Sequence, residues 1–228
     1  MFEIIDCKEG IIEKKILDSL YTKGICVLKN YFSENDIKKF NQEFERIFYE
    51  KKKEIKILDK EDCSNDERVF YAERYSKFIR DKFSNNKIFD TICKKYTKAP
   101  FNKKTLINKL RYEEGKVKNS GAGWHRDNHH CQFKTIMYLS DVTEENGNFQ
   151  WITNSNLKNI GKPPPRTKNY DTRFFDSTIA DLIKNEDKCN LVNIIGEKGT
   201  IIIADTTYIH RGNIIKRGER KAMTQYYF

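Results

Sequence analysis

Trp124-His125-Arg126-Asp127 and, further on, Tyr208-Ile209-His210-Arg211-Gly212 decide how this chain is read. Two His and one carboxylate in an H-x-D…H order supply a 2-His-1-carboxylate facial triad. Such a triad leaves positions open on a non-haem Fe(II) ion for substrate and O₂. On an extended strand, residues i and i+2 point to the same side, so His125 and Asp127 can grip one ion. His210 must then come from a strand that is remote in sequence and adjacent in space. Beyond it stands Arg220, a permanent cation whose planar fork suits a carboxylate. Metal triad and downstream Arg form the constellation of an oxygenase that uses 2-oxoglutarate.

Around the motif, the texture is that of short strands. Thr105–Tyr112, Phe133–Leu139, Phe149–Thr153, Leu191–Ile195, Thr200–Ala204, Tyr208–Arg211 and Ala222–Phe228 are strand-like runs punctuated by Gly, Asn and Asp. Many short strands predict a barrel or sandwich. An irregular insertion, 154–177, interrupts them and contains Pro163-Pro164-Pro165. Its length inside a compact domain predicts a functional lid. The first hundred residues read as mostly helical. Apolar Ile12, Ile16, Leu17 and Leu20 recur at helical spacing over 9–23 and Gly24 sits at the C-cap. Ile25-Cys26-Val27-Leu28 reads as a buried strand. Ser33 opens a helix carrying Ile37, Phe40, Phe44 and Phe48. Residues 59–66 read as a loop, and 67–82 and 86–97 as two more helices.

At 228 residues the chain is long enough to bury a sizeable core and is read as one domain, 1–228. The 43 basic and 33 acidic residues leave a formal charge of +10, which favours anionic partners. Most Lys alternate with Glu on helical faces, the pattern of a solvated surface, so nucleic acid is not the expected partner. Six cysteines (Cys7, Cys26, Cys63, Cys93, Cys131, Cys189) form no C-x-x-C pair and read as reduced thiols of a cytoplasmic protein. Neither a signal peptide nor a membrane-spanning run is expected.

The chain resembles the phytanoyl-CoA dioxygenase family. The resemblance rests on Gly24-Ile25-Cys26-Val27-Leu28-Lys29-Asn30-Tyr31-Phe32-Ser33, Trp124-His125-Arg126-Asp127, Asp141-Val142-Thr143-Glu144-Glu145-Asn146-Gly147 and Gly199-Thr200-Ile201-Ile202-Ile203-Ala204-Asp205. It extends through His210-Arg211-Gly212-Asn213 to Gly218-Glu219-Arg220-Lys221-Ala222. It implies a mainly β (α+β) fold, a double-stranded β-helix (jelly-roll, cupin-like) core with flanking helices. It also implies dependence on Fe(II) and 2-oxoglutarate. One departure is Asn156, which stands where family members carry the His of a Pro-Gly-Ser-His element. That element holds no metal; the departure bears on the substrate.

On this reading His125, Asp127 and His210 are the metal ligands. Arg220 pairs with the C5 carboxylate of 2-oxoglutarate, and Arg217 and Lys216 are the nearby alternatives. Asp127, where a small residue would make room for a halide, predicts hydroxylation or a related C–H oxidation. Lys134, Thr135 and Asn108 are candidate co-substrate contacts; Arg111 and Thr224 are candidate pocket residues. Trp124 is expected in the core, His129 and His130 on the surface. Cys131 is expected to be a small buried hydrophobe, and Asp205 to make a turn hydrogen bond. The expected substrate is a small or carrier-bound anion. A metal-binding cupin without turnover and a nucleic-acid-modifying oxygenase are the rival readings.

Overall fold

The computed structural model of the protein describes residues 2–10, 12–51, 56–57, 66–115, 123–161, 172–185 and 189–228. The eleven strands among the described residues are β1 (Glu3–Asp6), β2 (Ile25–Lys29), β3 (Lys56–Ile57), β4 (Asp66–Phe70), β5 (Lys103–Arg111), β6 (Phe133–Tyr138), β7 (Phe149–Ile152), β8 (Leu191–Ile194), β9 (Ile201–Asp205), β10 (His210–Gly212) and β11 (Glu219–Tyr227). Eight of them form one sheet in the order β1-β2-β9-β6-β11-β5-β4-β3. The other three form a second sheet, β10-β7-β8. The two sheets face each other as a jelly roll, with helices flanking the larger one.

The apolar runs divide between the two faces of the large sheet because side chains alternate along a strand. Cys26 and Leu28 of β2, Phe133 and Met137 of β6, and Ile201 and Ile203 of β9 pack outward under the helices. Ile25 and Val27, Tyr138, and Ile202 and Ala204 from the same strands face the small sheet. Burial on both faces is why Ile25–Leu28 and Ile201–Ala204 read as unbroken apolar stretches.

The outer cover is made by α1 (Glu13–Lys23), α2 (Glu34–Glu50) and α3 (Lys87–Thr97). Helix α2 starts where the Asp36 N–H donates to the Ser33 hydroxyl at 3.1 Å, with Glu34 and Asp36 at its positive end. It buries Ile37, Phe40, Phe44, Ile47 and Phe48. Helix α1 stops at Gly24, whose φ of +75° lets its N–H reach the Leu20 carbonyl. A β-carbon there would lie 2.4 Å from the Tyr208 ring, so that tight passage requires glycine.

Two expectations are corrected. Asp66–Phe70, expected as loop and helix, is strand β4 paired with β5; short helical turns follow at Ala72–Arg74, Lys77–Ile79 and Arg80–Ser84. Its Asp-Glu-Arg-Val-Phe sequence carries no alternation, because β4 turns Asp66 and Arg68 toward a polar cavity. The N-terminal part is mostly helical, as expected, with the expected strand at β2; β1 and β4 also join the main sheet. The insertion runs into a helix, α4 (Asp176–Asn185). Its Pro163–Pro165 run, and Cys63, lie outside the described residues. Among those residues no helix is long and apolar enough to cross a membrane.

Arg126 ties the two limbs of the insertion to the H-x-D segment. It is 1% exposed and has no carboxylate partner among the described residues. Its guanidinium donates to the carbonyls of Ser155, Ile160 and Gly161 at 2.6–3.0 Å and lies over the Phe174 ring. Its backbone N–H donates to Thr172 on the returning limb. Burial pushes its pKa down to about 10, so the charge is kept at neutral pH.

Two stability outcomes follow. Gly24→Ala puts a left-handed φ on alanine and its β-carbon into Tyr208, and should cost roughly 2–4 kcal/mol in a urea melt. Arg126→Lys keeps the charge but loses the fork to three carbonyls, and should cost about 2–3 kcal/mol in the same melt.

Candidate active site

His125 and His210 are brought together by the backbone. The N–H of each donates to the carbonyl of the other, at 3.0 and 2.9 Å. This antiparallel bridge makes them a cross-strand pair, with side chains on one side. Their rings lie 4.4 Å apart. His125 sits in an isolated bridge followed by a bend, not in a regular strand, so the i, i+2 relation to Asp127 comes from a local extended turn. That turn is pinned by the Asp127 N–H to the Thr206 carbonyl at 2.9 Å.

The side-chain geometry is that of a metal centre. The ligand atoms of His125, Asp127 and His210 all lie within 4.8 Å of one another. Asp127 Oδ1 is 3.6 Å from His125 Nε2 and 3.8 Å from His210 Nε2. Each imidazole turns Nδ1 to a carbonyl, His125 to Gly123 at 2.9 Å and His210 to Tyr208 at 2.8 Å. That places the proton on Nδ1 and leaves the Nε2 lone pair facing the other ligands. His210 Nε2 is buried with no hydrogen-bond partner, the state of a nitrogen that serves as a ligand. The residues therefore fit a divalent ion held by two imidazoles and a carboxylate.

Electrostatics keep the donors in their ligating forms. Burial, with His125 alongside, pushes the His210 pKa down to about 3, so that imidazole is neutral across the physiological range. Burial alone would raise the Asp127 carboxyl. Lys134 and the two imidazoles outweigh it and hold the group well below the usual range. The His210 ring is braced by Phe149 and Trp151, whose ring centroids lie 5.4 and 6.2 Å away.

A cavity of about 390 Å³ opens beside the three ligands. Its floor is the half of the main sheet where apolar residues give way to polar ones. Arg220, Ala222, Thr224 and Tyr226 of β11 line it, with Asn108 of β5, Lys134 of β6, and Asp66 and Arg68 of β4. Arg220 lies at the far end and is partly buried, with its Nη1 donating to the Gly147 carbonyl and its Nε buried without a partner. Burial lowers its pKa. Lys134 is 7% exposed and pairs with Asp127 Oδ2. A larger groove of about 1150 Å³ runs between α2 and the Glu197–Thr200 turn, but none of the three ligands lines it; size alone does not mark the site.

The other candidates fall on either side of that wall. Asn108 and Thr224 line the cavity. Thr135 does not: the strand alternates, and its hydroxyl is buried on the opposite face without a partner. Arg111 lies half exposed between Glu67 and Glu219, outside the cavity. Arg217 is 76% exposed and pairs with Glu145, so it points away from the site; Lys216 is exposed too. Trp124 is buried in a small core with Ile152, Phe174 and Ile209. Cys131 is exposed, not buried, and its thiol lies 3.6 Å from Asp205. Asp205 makes its turn bonds to Thr207 and also accepts from the Tyr96 hydroxyl at 2.8 Å. His130 is exposed and His129 half-buried. Asn156 Nδ2 donates to the Tyr208 hydroxyl at 3.1 Å.

Sequence reasoning missed Asp66, Arg68, Arg126 and Tyr138. The first two sat in a segment read as loop and helix. Arg126 is the variable residue of H-x-D. Tyr138 lies at a core-strand position, and its hydroxyl donates to the Ile194 carbonyl and accepts from the Phe149 N–H, which joins the two sheets.

The phytanoyl-CoA dioxygenase (PhyH) family matches residues 20–216. No curated protein matches the sequence. Among solved structures, the epimerase SnoN in complex with Fe3+, alpha ketoglutarate and nogalamycin RO superposes with a TM-score of 0.73 at 13% identity, covering 95% of this chain and 83% of that one. The non-heme alpha ketoglutarate-dependent carbocyclase SnoK gives 0.68 at 15% identity, covering 94% and 83%. HygX from Streptomyces hygroscopicus, with nickel and 2-oxoglutarate bound, gives 0.64 at 13% identity, covering 94% and 86%. At these identities the likeness establishes the shared fold. With the family matching most of its length and a His-Asp-His site at the mouth of its polar cavity, the chain is an enzyme of dioxygenase type that belongs to the phytanoyl-CoA dioxygenase family.

Proposed function

We propose that the protein is an Fe(II)- and 2-oxoglutarate-dependent dioxygenase that hydroxylates a small or carrier-bound anionic substrate, releasing succinate and CO₂. The carrying observation is one cavity lined by three converging metal donors and by Arg220. His125, Asp127 and His210 would hold the ion and leave a face open to the cavity. The ion supplies O₂ activation, coupled to oxidative decarboxylation of the co-substrate. Structures related in fold contain iron or nickel with that co-substrate.

The chain's own residues set the rest. Arg220 would receive the C5 carboxylate of 2-oxoglutarate, since its Nε lacks a partner and its charge is permanent. Asn108 and Thr224 would line the co-substrate's flank. The carbonyls of Gly123 and Tyr208 fix the imidazole tautomers and hold both Nε2 atoms toward the ion. Leu106, Ile136 and Phe149 along the cavity exclude water from the reacting centre. The anionic character of the substrate rests on the net charge and on the cations lining the cavity. We read the chain as one domain, because strands from its first and last thirds interleave in one sheet. A cytoplasmic location is supported by Cys7, Cys26, Cys93, Cys131 and Cys189 being free thiols.

Anaerobic titration with Fe(II) and then 2-oxoglutarate tests the reading. The wild type should develop a weak visible metal-to-ligand charge-transfer band. His210→Ala should lose it, and Arg220→Ala should need roughly 10- to 100-fold more 2-oxoglutarate. Metal bound without any band would instead favour a cupin that does not turn over. Because Thr135 faces away from the cavity, Thr135→Val should hold 2-oxoglutarate affinity within about twofold of wild type. A larger loss would place that hydroxyl in the site.

A further inference from the structure

The cavity holds more positive charge than its own carboxylates balance. Among the described residues that line it, Asp66 and Asp127 are the carboxylates, against five Lys and Arg side chains. Asp66 and Arg68 pair at 2.8 Å and cancel one another. Arg126 is held by three carbonyls. Arg220 lies at the far end of the floor, six positions along β11 from Tyr226, the residue whose ring lies 4.6 Å from Lys134 Nζ and whose backbone pairs with Lys134.

Lys134 differs from the other cations in one respect. It is 7% exposed, and the only carboxylate it pairs with among the described residues is Asp127. Asp127 also belongs to the group that can hold a metal ion. One carboxylate cannot neutralise both a divalent ion and a buried ammonium. A buried ammonium without an anion is strongly unfavourable, and the Tyr226 ring offers only a partial substitute.

We propose that Lys134 is an anion-binding residue of the site. When a divalent ion takes the Asp127 carboxylate, the Lys134 ammonium passes to a carboxylate of a small molecule bound beside that ion. Arg220 and Lys134 then form two carboxylate-reading positions at opposite ends of the same floor. The carboxylate at Lys134 belongs either to 2-oxoglutarate or to the substrate; the chemistry recognised is the same. This inference rests on the metal reading of His125, Asp127 and His210.

Cobalt(II) serves as the probe metal, on the full chain. It is titrated into apo wild type, Lys134→Met, Lys134→Gln and Lys134→Arg, with a thermal melt of each as the fold control. 2-Oxoglutarate is then added, followed by acetate, whose methyl-proton relaxation by the cobalt ion is read by NMR. Removing the cation should tighten cobalt binding at least about fivefold, because the ammonium no longer competes for Asp127. The same two neutral variants should bind a carboxylate at least about tenfold more weakly, and Lys134→Arg should keep that binding. A loss seen in the 2-oxoglutarate titration supports the proposal with the co-substrate as the source. A loss confined to acetate on the 2-oxoglutarate complex supports it with the substrate as the source. Both carboxylate affinities within about twofold of wild type, or weakened cobalt binding in the neutral variants, would overturn it. Wild type that binds no cobalt would overturn the metal reading itself, and the proposal with it.

Discussion

The reciprocal backbone pair between His125 and His210 is the constraint on which the site depends. It joins a turn in the middle of the chain to strand β10, and so fixes two imidazoles of distant sequence position on one side of a bridge. Everything that holds either partner therefore holds the site. On one side, β10 pairs with β7 and sets His210 opposite Trp151. On the other, Arg126 binds three carbonyls of the insertion, and the Phe174 N–H donates to the Trp124 carbonyl. The insertion's two limbs are thus fastened to the same short segment that presents His125 and Asp127.

The large sheet serves two purposes because its inner face is split. Over β2 and β9 that face is apolar and packs against the small sheet. Over β4, β5 and β11 it is polar and becomes the cavity floor. Its outer face is mostly apolar over the middle strands, with Thr105 bonded to Gln225 and Ser84 among the buried polar residues there, and is covered by helices. That cover lets the inner face carry charges such as Arg220 and Lys134 without loss of the core. Such charges are costly to bury unless anions arrive to meet them, which is the physical basis for the proposed carboxylate binding beside the three metal donors.

The convergence of His125, Asp127 and His210 was legible from sequence because H-x-D is a local spacing and only four His exist, two of them close to that motif. The strands of the core were legible where both faces are buried, since Ile25–Leu28 and Ile201–Ala204 contain nothing polar. The cavity floor was not. Asp66 and Arg68 are a charged pair on a strand whose inward face is polar, so β4 has neither the alternation nor the apolar run that marks a strand. Lys134 and Thr135 were both expected at the co-substrate, but side chains alternate along β6, so Lys134 and Ile136 line the cavity and Thr135 does not. The anchoring role of Arg126 depends on the Ser155, Ile160 and Gly161 carbonyls, and backbone acceptors leave no trace in a sequence.

An anaerobic crystal structure of the Mn(II) and 2-oxoglutarate complex tests the central claim most directly. The account predicts one Mn(II) ion bound by His125 Nε2, Asp127 and His210 Nε2, with 2-oxoglutarate beside it and its C5 carboxylate on Arg220. Manganese absent from these three residues, or 2-oxoglutarate bound away from Arg220 and the ion, would contradict it.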